Sequence, residues 1–222
     1  MKELNISPEC GMRKEGERES LLCKISNPRV TANYLSYGYD YFDNESMGYG
    51  YGGYKYDGRY KHFVNKMIST FKIKKSDSVL EIGCAKGYIL YEFLKLGFYN
   101  INGLDISKYA IDNSHPEIRT KLKNKSAKYL CKLRSKTFDF IYSKEMLPHM
   151  CLQDIKKCIK ECNRISKIKQ NIYFIIQSVK EPKKQLAEKW DPTQKVLMTR
   201  SEWVKLLKQN NYHGSYCIKS QF

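Results

Sequence analysis

The residues with the strongest chemical implication are Val79-Leu80-Glu81-Ile82-Gly83-Cys84-Ala85-Lys86-Gly87, followed by Gly103-Leu104-Asp105-Ile106-Ser107. An apolar run ending in an acid and a small-residue loop reads as a buried parallel strand handing over to a helix, and the second acid falls after the next strand. Two strand ends then face one nucleoside. A glycine-rich strand-to-helix turn can also exist just to let backbone pack closely, so the details and the downstream residues have to choose.

A dinucleotide fingerprint wants a small third residue where the helix packs against strand and pyrophosphate. Counting from Gly83, that position is Tyr88, and a bulky ring there argues against NAD. A Walker phosphate loop needs a Lys followed by Ser or Thr at the end of a longer loop, and Lys86-Gly87-Tyr88 has neither the length nor the hydroxyl. The remaining pattern, Glu81-x-Gly-x-Ala-x-Gly, resembles motif I of class I S-adenosylmethionine-dependent methyltransferases. The resemblance implies a Rossmann-like, doubly wound, mostly parallel α/β sheet with S-adenosylmethionine as cofactor. The loop would wrap the methionine portion and the acid after the second strand would hold the ribose hydroxyls. Cofactor contacts thereby fall on Glu81, Gly83, Cys84, Ala85, Gly87, Asp105 and Ile106. Phe138-Asp139-Phe140-Ile141-Tyr142-Ser143 resembles the family's fourth strand, which adds Ser143. Ser126 and Ala127 stand where the family usually has an acid or Asn beside the adenine, and Ser126 departs from that pattern.

His149 follows that strand, where many small-molecule methyltransferases carry a His. Methyl transfer from a sulfonium is an in-line displacement, so an enzyme mainly aligns the partners and removes a proton where the acceptor needs it. An imidazole titrating near neutrality suits that base, against the plain alternative of a structural histidine after a strand. Residues 34 to 60 alternate tyrosine with glycine and hold few aliphatics, too little apolar bulk for a core. Phenol hydroxyls on a flexible backbone suit a substrate lid; the competing reading is a low-complexity linker. Gly52-Gly53-Tyr54-Lys55-Tyr56-Asp57-Gly58-Arg59-Tyr60 resembles a segment of methyltransferases encoded near bacterial surface-polysaccharide genes, a likeness covering residues 48 to 216. It implies O-methylation of a sugar, sugar phosphate or phosphoramidate-type precursor of capsule polysaccharide biosynthesis. Tyr54 and Arg59 then fall to the cofactor, and Tyr51 and Tyr56 to the substrate.

The elements that must position these residues follow from pattern. Strands are expected at Ser78 to Ile82, Asn100 to Leu104, Leu122 to Ala127, Phe138 to Tyr142 and Asn171 to Gln177, the last central because it is apolar on both faces. Helices are expected at His62 to Phe71, Gly87 to Leu96, from Lys108 to before Pro116, at Gln153 to Ser166, and from the Thr199-Arg200-Ser201-Glu202 capping box to Asn210. Residues 1 to 33 read as a mobile or loosely docked arm, and residues 34 to 222 as one methyltransferase domain. The tail from Tyr212 offers about one strand, whereas the family normally closes with an antiparallel pair.

The chain carries 40 Lys and Arg against 23 Asp and Glu, a net charge of +17 that favours an anionic acceptor. Its lysines are diffuse, which together with abundant Asn, Ile and Tyr fits an AT-rich genome better than a nucleic-acid reader. The Asn/Asp-Pro-Pro-Tyr sequence of amino-group base methylases is absent, and Asp191-Pro192-Thr193 does not replace it. An RNA methyltransferase and an inactive cofactor-fold binding subunit are the alternatives. Eight scattered cysteines without a Cys-x-x-Cys pair suggest free thiols, with Cys158 and Cys162 one helical turn apart as small hydrophobes rather than metal ligands. With no signal-like N-terminus and no apolar run of membrane length, a cytoplasmic protein without membrane insertion is expected.

Overall fold

A computed structural model describes residues 1–8, 20, 22, 30–47 and 50–220. Its strands are β1 (Lys2–Glu3), β2 (Val79–Ile82), β3 (Ile101–Asp105), β4 (Leu122–Asn124), β5 (Phe140–Lys144), β6 (Ile172–Ser178) and β7 (Ser215–Ser220). They form one sheet in the order β1-β7-β6-β5-β2-β3-β4, and every neighbouring pair is parallel. This is the Rossmann-like doubly wound architecture. β2 lies between β3 and β5, so the chain leaves it in opposite directions and opens a crevice at the carboxyl ends.

Alternation along the strands feeds two cores. Val79, Phe140, Tyr142, Tyr173 and Ile175 pack with helices Lys61–Phe71 and Tyr88–Lys95. Leu80, Ile82, Ile141, Phe174 and Ile176 pack with helices Leu152–Ile165 and Arg200–Gln209. Cys158 and Cys162 are buried in this second core with sulfurs 4.0 Å apart. The capping box forms as its sequence implies: Thr199 Oγ1 accepts from Glu202 N, and Glu202 Oε2 accepts from Thr199 N at 2.7 Å. Such a cap stabilises a helix by about 1 kcal/mol. The helix from Lys108 ends at Asp112, and Pro116 starts a separate turn, Pro116–Arg119, where its missing N–H costs nothing.

The tail forms the single strand its length allows: β7 runs parallel to β6 and is reached through helices Lys184–Trp190 and Arg200–Gln209, the first of which has no sequence signal strong enough to anticipate. Two expectations are corrected. The outer edge of β7 would expose unpaired backbone, and β1 covers it: Leu4 N donates to Tyr216 O at 2.8 Å. Tyr173 Oη also donates to the carbonyl of Ile6, so residues 1–8 are built into the sheet edge rather than loosely docked. The remainder of the 1–33 arm up to residue 29, apart from residues 20 and 22, lies outside the described residues.

The second correction concerns the Tyr/Gly segment. Tyr34, Tyr41, Phe42, Tyr54 and Tyr60 are all buried in the first core. Edge-to-face and tilted ring pairs do the packing that aliphatics would otherwise do, with Tyr51–Tyr54 at 4.3 Å and Tyr54–Tyr88 at 4.8 Å between centroids. Gly48 and Tyr49, within the proposed lid, lie outside the described residues.

Candidate active site

The motif loop turns tightly because its small residues allow it. Gly83, Ala85 and Gly87 have φ of 77°, 48° and 73°. A side chain at Gly83 would meet Met146 at 2.6 Å, and one at Gly87 would meet Leu122 at 2.7 Å. Close packing and a left-handed backbone therefore both demand glycine at these two positions. The turn aims Ala85 N at Asp105 Oδ2, 2.6 Å away, and Ser107 N reaches Asp105 Oδ1 at 2.8 Å. Burial raises the Asp105 carboxyl above its usual range, opposed by those two N–H donors, and it stands fixed at the end of β3.

β2 and β5 pair only as far as Glu81 and Tyr142. Beyond that point Ser143 Oγ donates to Ile82 O at 2.8 Å, satisfying a carbonyl that the diverging strands leave unpaired. The crevice so opened is a cavity of about 540 Å³, within the usual size of small-molecule sites. It gathers Gly83, Ala85, Asp105, Ile106, Ser126 and Ala127 from the sheet side. Tyr51, Tyr54 and Arg59 from the aromatic segment line it too, as does His149.

Five sequence-chosen residues do not line it. Glu81 is 2% exposed and accepts from Tyr142 Oη at 2.9 Å; burial pushes its carboxyl well above the usual range. Cys84 is buried behind the loop against Gly103, Gly87 packs on Leu122, and Ser143 is spent on the Ile82 carbonyl. Tyr56 sits on the outer side of helix Tyr88–Lys95, donating to Glu92 Oε1 at 2.6 Å and accepting from Lys95 Nζ at 2.9 Å. These residues shape the site from behind. Arg59 lines the cavity while paired to Asp57 at 2.6 Å, and Ser126 caps its own turn by accepting from Lys128 N.

Lys86, in the middle of the motif loop, ties the aromatic segment down. Its ammonium is buried and donates to Asp43 Oδ1 and Oδ2 at 2.7 and 2.6 Å and to Tyr54 O at 3.0 Å. Tyr109 Oη adds a bond to Asp43 Oδ2 at 2.7 Å. Burial alone would raise the Asp43 carboxyl, but the hydrogen bonds from Lys86 and Tyr109 and the Lys86 charge hold it below its usual range.

Across the cavity from Asp105, residues far apart in sequence converge on His149. Its Nδ1 lies 2.9 Å from Thr193 Oγ1, and its Nε2 lies 4.0 Å from Asp191 Oδ2. Thr193 Oγ1 donates to Asp191 Oδ1 at 2.5 Å. Lys195 N and Val196 N both donate to Pro148 O, which pins this segment to the turn that carries His149. Lys144, paired with Glu145 at 2.6 Å, lies beside Tyr51 and Tyr60. Burial would lower its ammonium pKa, but Glu145 and the two phenols outweigh that and raise it. Gln177, bridged to Gln194 at 3.0 Å, completes this wall with Trp190. Sequence reasoning missed Asp191, Thr193, Lys144 and Gln177. The Asp191-Pro192-Thr193 turn was visible, but nothing local connects it to His149.

The donor set fits S-adenosylmethionine: a fixed carboxylate at Asp105 for vicinal hydroxyls, a tight small-residue turn at Gly83 and Ala85 that lines the cavity, and Ile106, 61% exposed, as an apolar surface beside them. Comparison with known proteins points the same way. Residues 80–174 match the family model of a methyltransferase domain. The human protein "EEF1A lysine methyltransferase 2" is 31% identical over 141 residues, which cover 55% of this chain and 57% of that protein. The chain thus spans little more than half the length of that curated relative. A SAM-dependent methyltransferase from Archaeoglobus fulgidus superposes with a TM-score of 0.51 at 21% identity, over 68% of this chain and 66% of that one. The cyclase SpnF shares the fold with a TM-score of 0.57 at 13% identity, over 82% of this chain and 74% of that one. The solved neighbours share the fold, and the matched domain supports an S-adenosylmethionine-dependent methyltransferase as the class of enzyme and S-adenosylmethionine as its cofactor. Because one fold hosts several chemistries, the acceptor has to be argued from the site. Among the described residues no helix is long and apolar enough to cross a membrane.

Proposed function

We propose that this chain transfers a methyl group from S-adenosylmethionine to a hydroxyl oxygen of a small anionic acceptor in the cytoplasm. A sugar, sugar phosphate or phosphoramidate-type precursor of capsule or surface glycan fits that description. The observation that carries the reading is the enclosure of Asp105 and His149 in one tyrosine-roofed cavity of about 540 Å³. The cofactor supplies an electrophilic methyl on a sulfonium. Asp105 would hold the ribose hydroxyls, Tyr51 and Tyr60 would exclude water, and His149 would take the acceptor's proton. Lys125 and Lys195, which line the same cavity, favour a negative group on the acceptor.

A second reading, a protein lysine as acceptor, is favoured by the human relative's name and by aromatic rings able to hold an ammonium. Release of demethylated cofactor, measured with sugar phosphates, uronates, lysine-bearing peptides and RNA in parallel, tests both. Turnover on the sugars is the expected result, with His149→Ala reducing it about 10²–10⁴-fold while calorimetric cofactor affinity persists. Turnover confined to lysine peptides or RNA overturns the glycan reading. Tight cofactor binding without turnover on any acceptor class favours a binding subunit.

A further inference from the structure

We propose that Asp191 and Thr193 act on His149 as a positioning pair, fixing its ring as the tautomer protonated on Nδ1 so that Nε2 is the atom that accepts the acceptor's proton. The inference rests on the proposed role of His149 and adds to it the atom and the two residues that select it.

The argument is one of counting protons. A threonine hydroxyl has one hydrogen to donate and two lone pairs to accept with. Thr193 donates that hydrogen to Asp191 Oδ1 at 2.5 Å. The His149 Nδ1 contact at 2.9 Å must therefore run the other way, with Nδ1–H donating to Thr193 Oγ1. Tyr37 lies edge-on to the ring at 5.9 Å between centroids, and burial pushes its phenol up to about 12, so it carries no charge beside His149 at neutral pH. With Nδ1 carrying the hydrogen, Nε2 of the neutral ring keeps its lone pair. Asp191 has a second effect: its Oδ2 is 4.0 Å from Nε2, close enough to favour the imidazolium once the proton arrives. Thr193 is 5% exposed, and the bonds from Lys195 N and Val196 N to Pro148 O hold its segment against the His149 turn.

Asp191 and Tyr37 lie against the ring, and Lys195, Lys144, Glu145 and Asp105 line the same cavity.

The test uses the full chain with isotope-labelled histidine and needs no acceptor. Nitrogen chemical shifts report the tautomer directly, with the His149 signals assigned by their loss in His149→Ala. The wild type should show Nδ1 protonated and Nε2 bare. Thr193→Val should give a mixture of tautomers and Thr193→Ser should restore the single one, while Asp191→Ala, which frees the Thr193 hydrogen to donate to Nδ1, should also give a mixture. Calorimetry with S-adenosylmethionine should give the same affinity for all variants, which certifies their folding. On an accepted substrate, Thr193→Val and Asp191→Ala should each lower kcat about tenfold or more. A wild-type ring protonated on Nε2, or a single Nδ1-protonated tautomer kept in both Thr193→Val and Asp191→Ala, overturns the proposal. Full turnover in His149→Ala instead overturns the base reading, while the shifts still decide the tautomer.

Discussion

The two walls of the cavity are built in different ways. The Asp105 wall comes from consecutive β-α units in which each functional atom sits within a few residues of a strand end. The His149 wall is assembled from residues 37–42, 50–60, 144–149, 177 and 190–195. In the first wall, backbone geometry does the work: Ala85 N and Ser107 N fix a carboxylate with two bonds. In the second, side chains from separate segments hold one another, and Lys86 is the junction between the walls. A cofactor shared across a family suits the first kind of wall, and an acceptor peculiar to one protein suits the second.

Breaking the junction should have the largest effect. Lys86→Ala leaves the partly buried Asp43 without its cation, which should destabilise the fold by about 1–3 kcal/mol in chemical denaturation. Lys86→Met combined with Asp43→Asn should recover much of that, because no unpaired charge remains. A loss under about 1 kcal/mol for Lys86→Ala would mean that ring packing alone joins the walls. The same pair predicts an acid signature. Since the Asp43 carboxyl is depressed in the folded state, its contribution is present above the unfolded value of about 3.9 and is lost as pH falls through the folded one. Acid unfolding of Asp43→Asn should lack that component.

Next in size is Asp105→Ala, which should weaken S-adenosylmethionine binding at least about tenfold, the loss of charge-assisted bonds of about 1.5–3 kcal/mol. Unchanged calorimetric affinity would remove the ribose assignment. Smaller still is the response of the aromatic segment. If residues 50–60 close over the cofactor, their amides should exchange several-fold more slowly when it is bound, while those of β2 change little. Equal exchange in both states would make the segment a fixed wall rather than a lid. The smallest effect is Tyr56→Phe, which should leave cofactor affinity within about twofold, since its hydroxyl bonds Glu92 outside the cavity. A larger loss would return Tyr56 to the site.

How far the sequence could be read varies along the chain for physical reasons. The strands, the helix at Tyr88–Lys95 and the cap at Thr199 rest on local periodicity and on side chains bonding backbone three residues away, so their signals are local. The buried aromatic segment was misjudged because a core is usually recognised by aliphatic periodicity, whereas here rings pack edge-on from irregular turns. Tyr56 and Tyr54 differ by two residues and have the same chemistry. One faces Glu92 and the other the cavity, a difference of backbone turn that composition does not encode.

By itself the sequence determined the parallel α/β order, the strained Gly83 and Gly87 turn, and the acid at Asp105 that meets it, because each depends on neighbours within one β-α unit. Only the tertiary structure decided that β1 closes the sheet edge, that Lys86 is buried on Asp43, and that Asp191 and Thr193 reach His149. Those contacts join residues 42 to more than 200 positions apart, and a hydrogen bond forms wherever packing brings donor and acceptor together, whatever their separation along the chain.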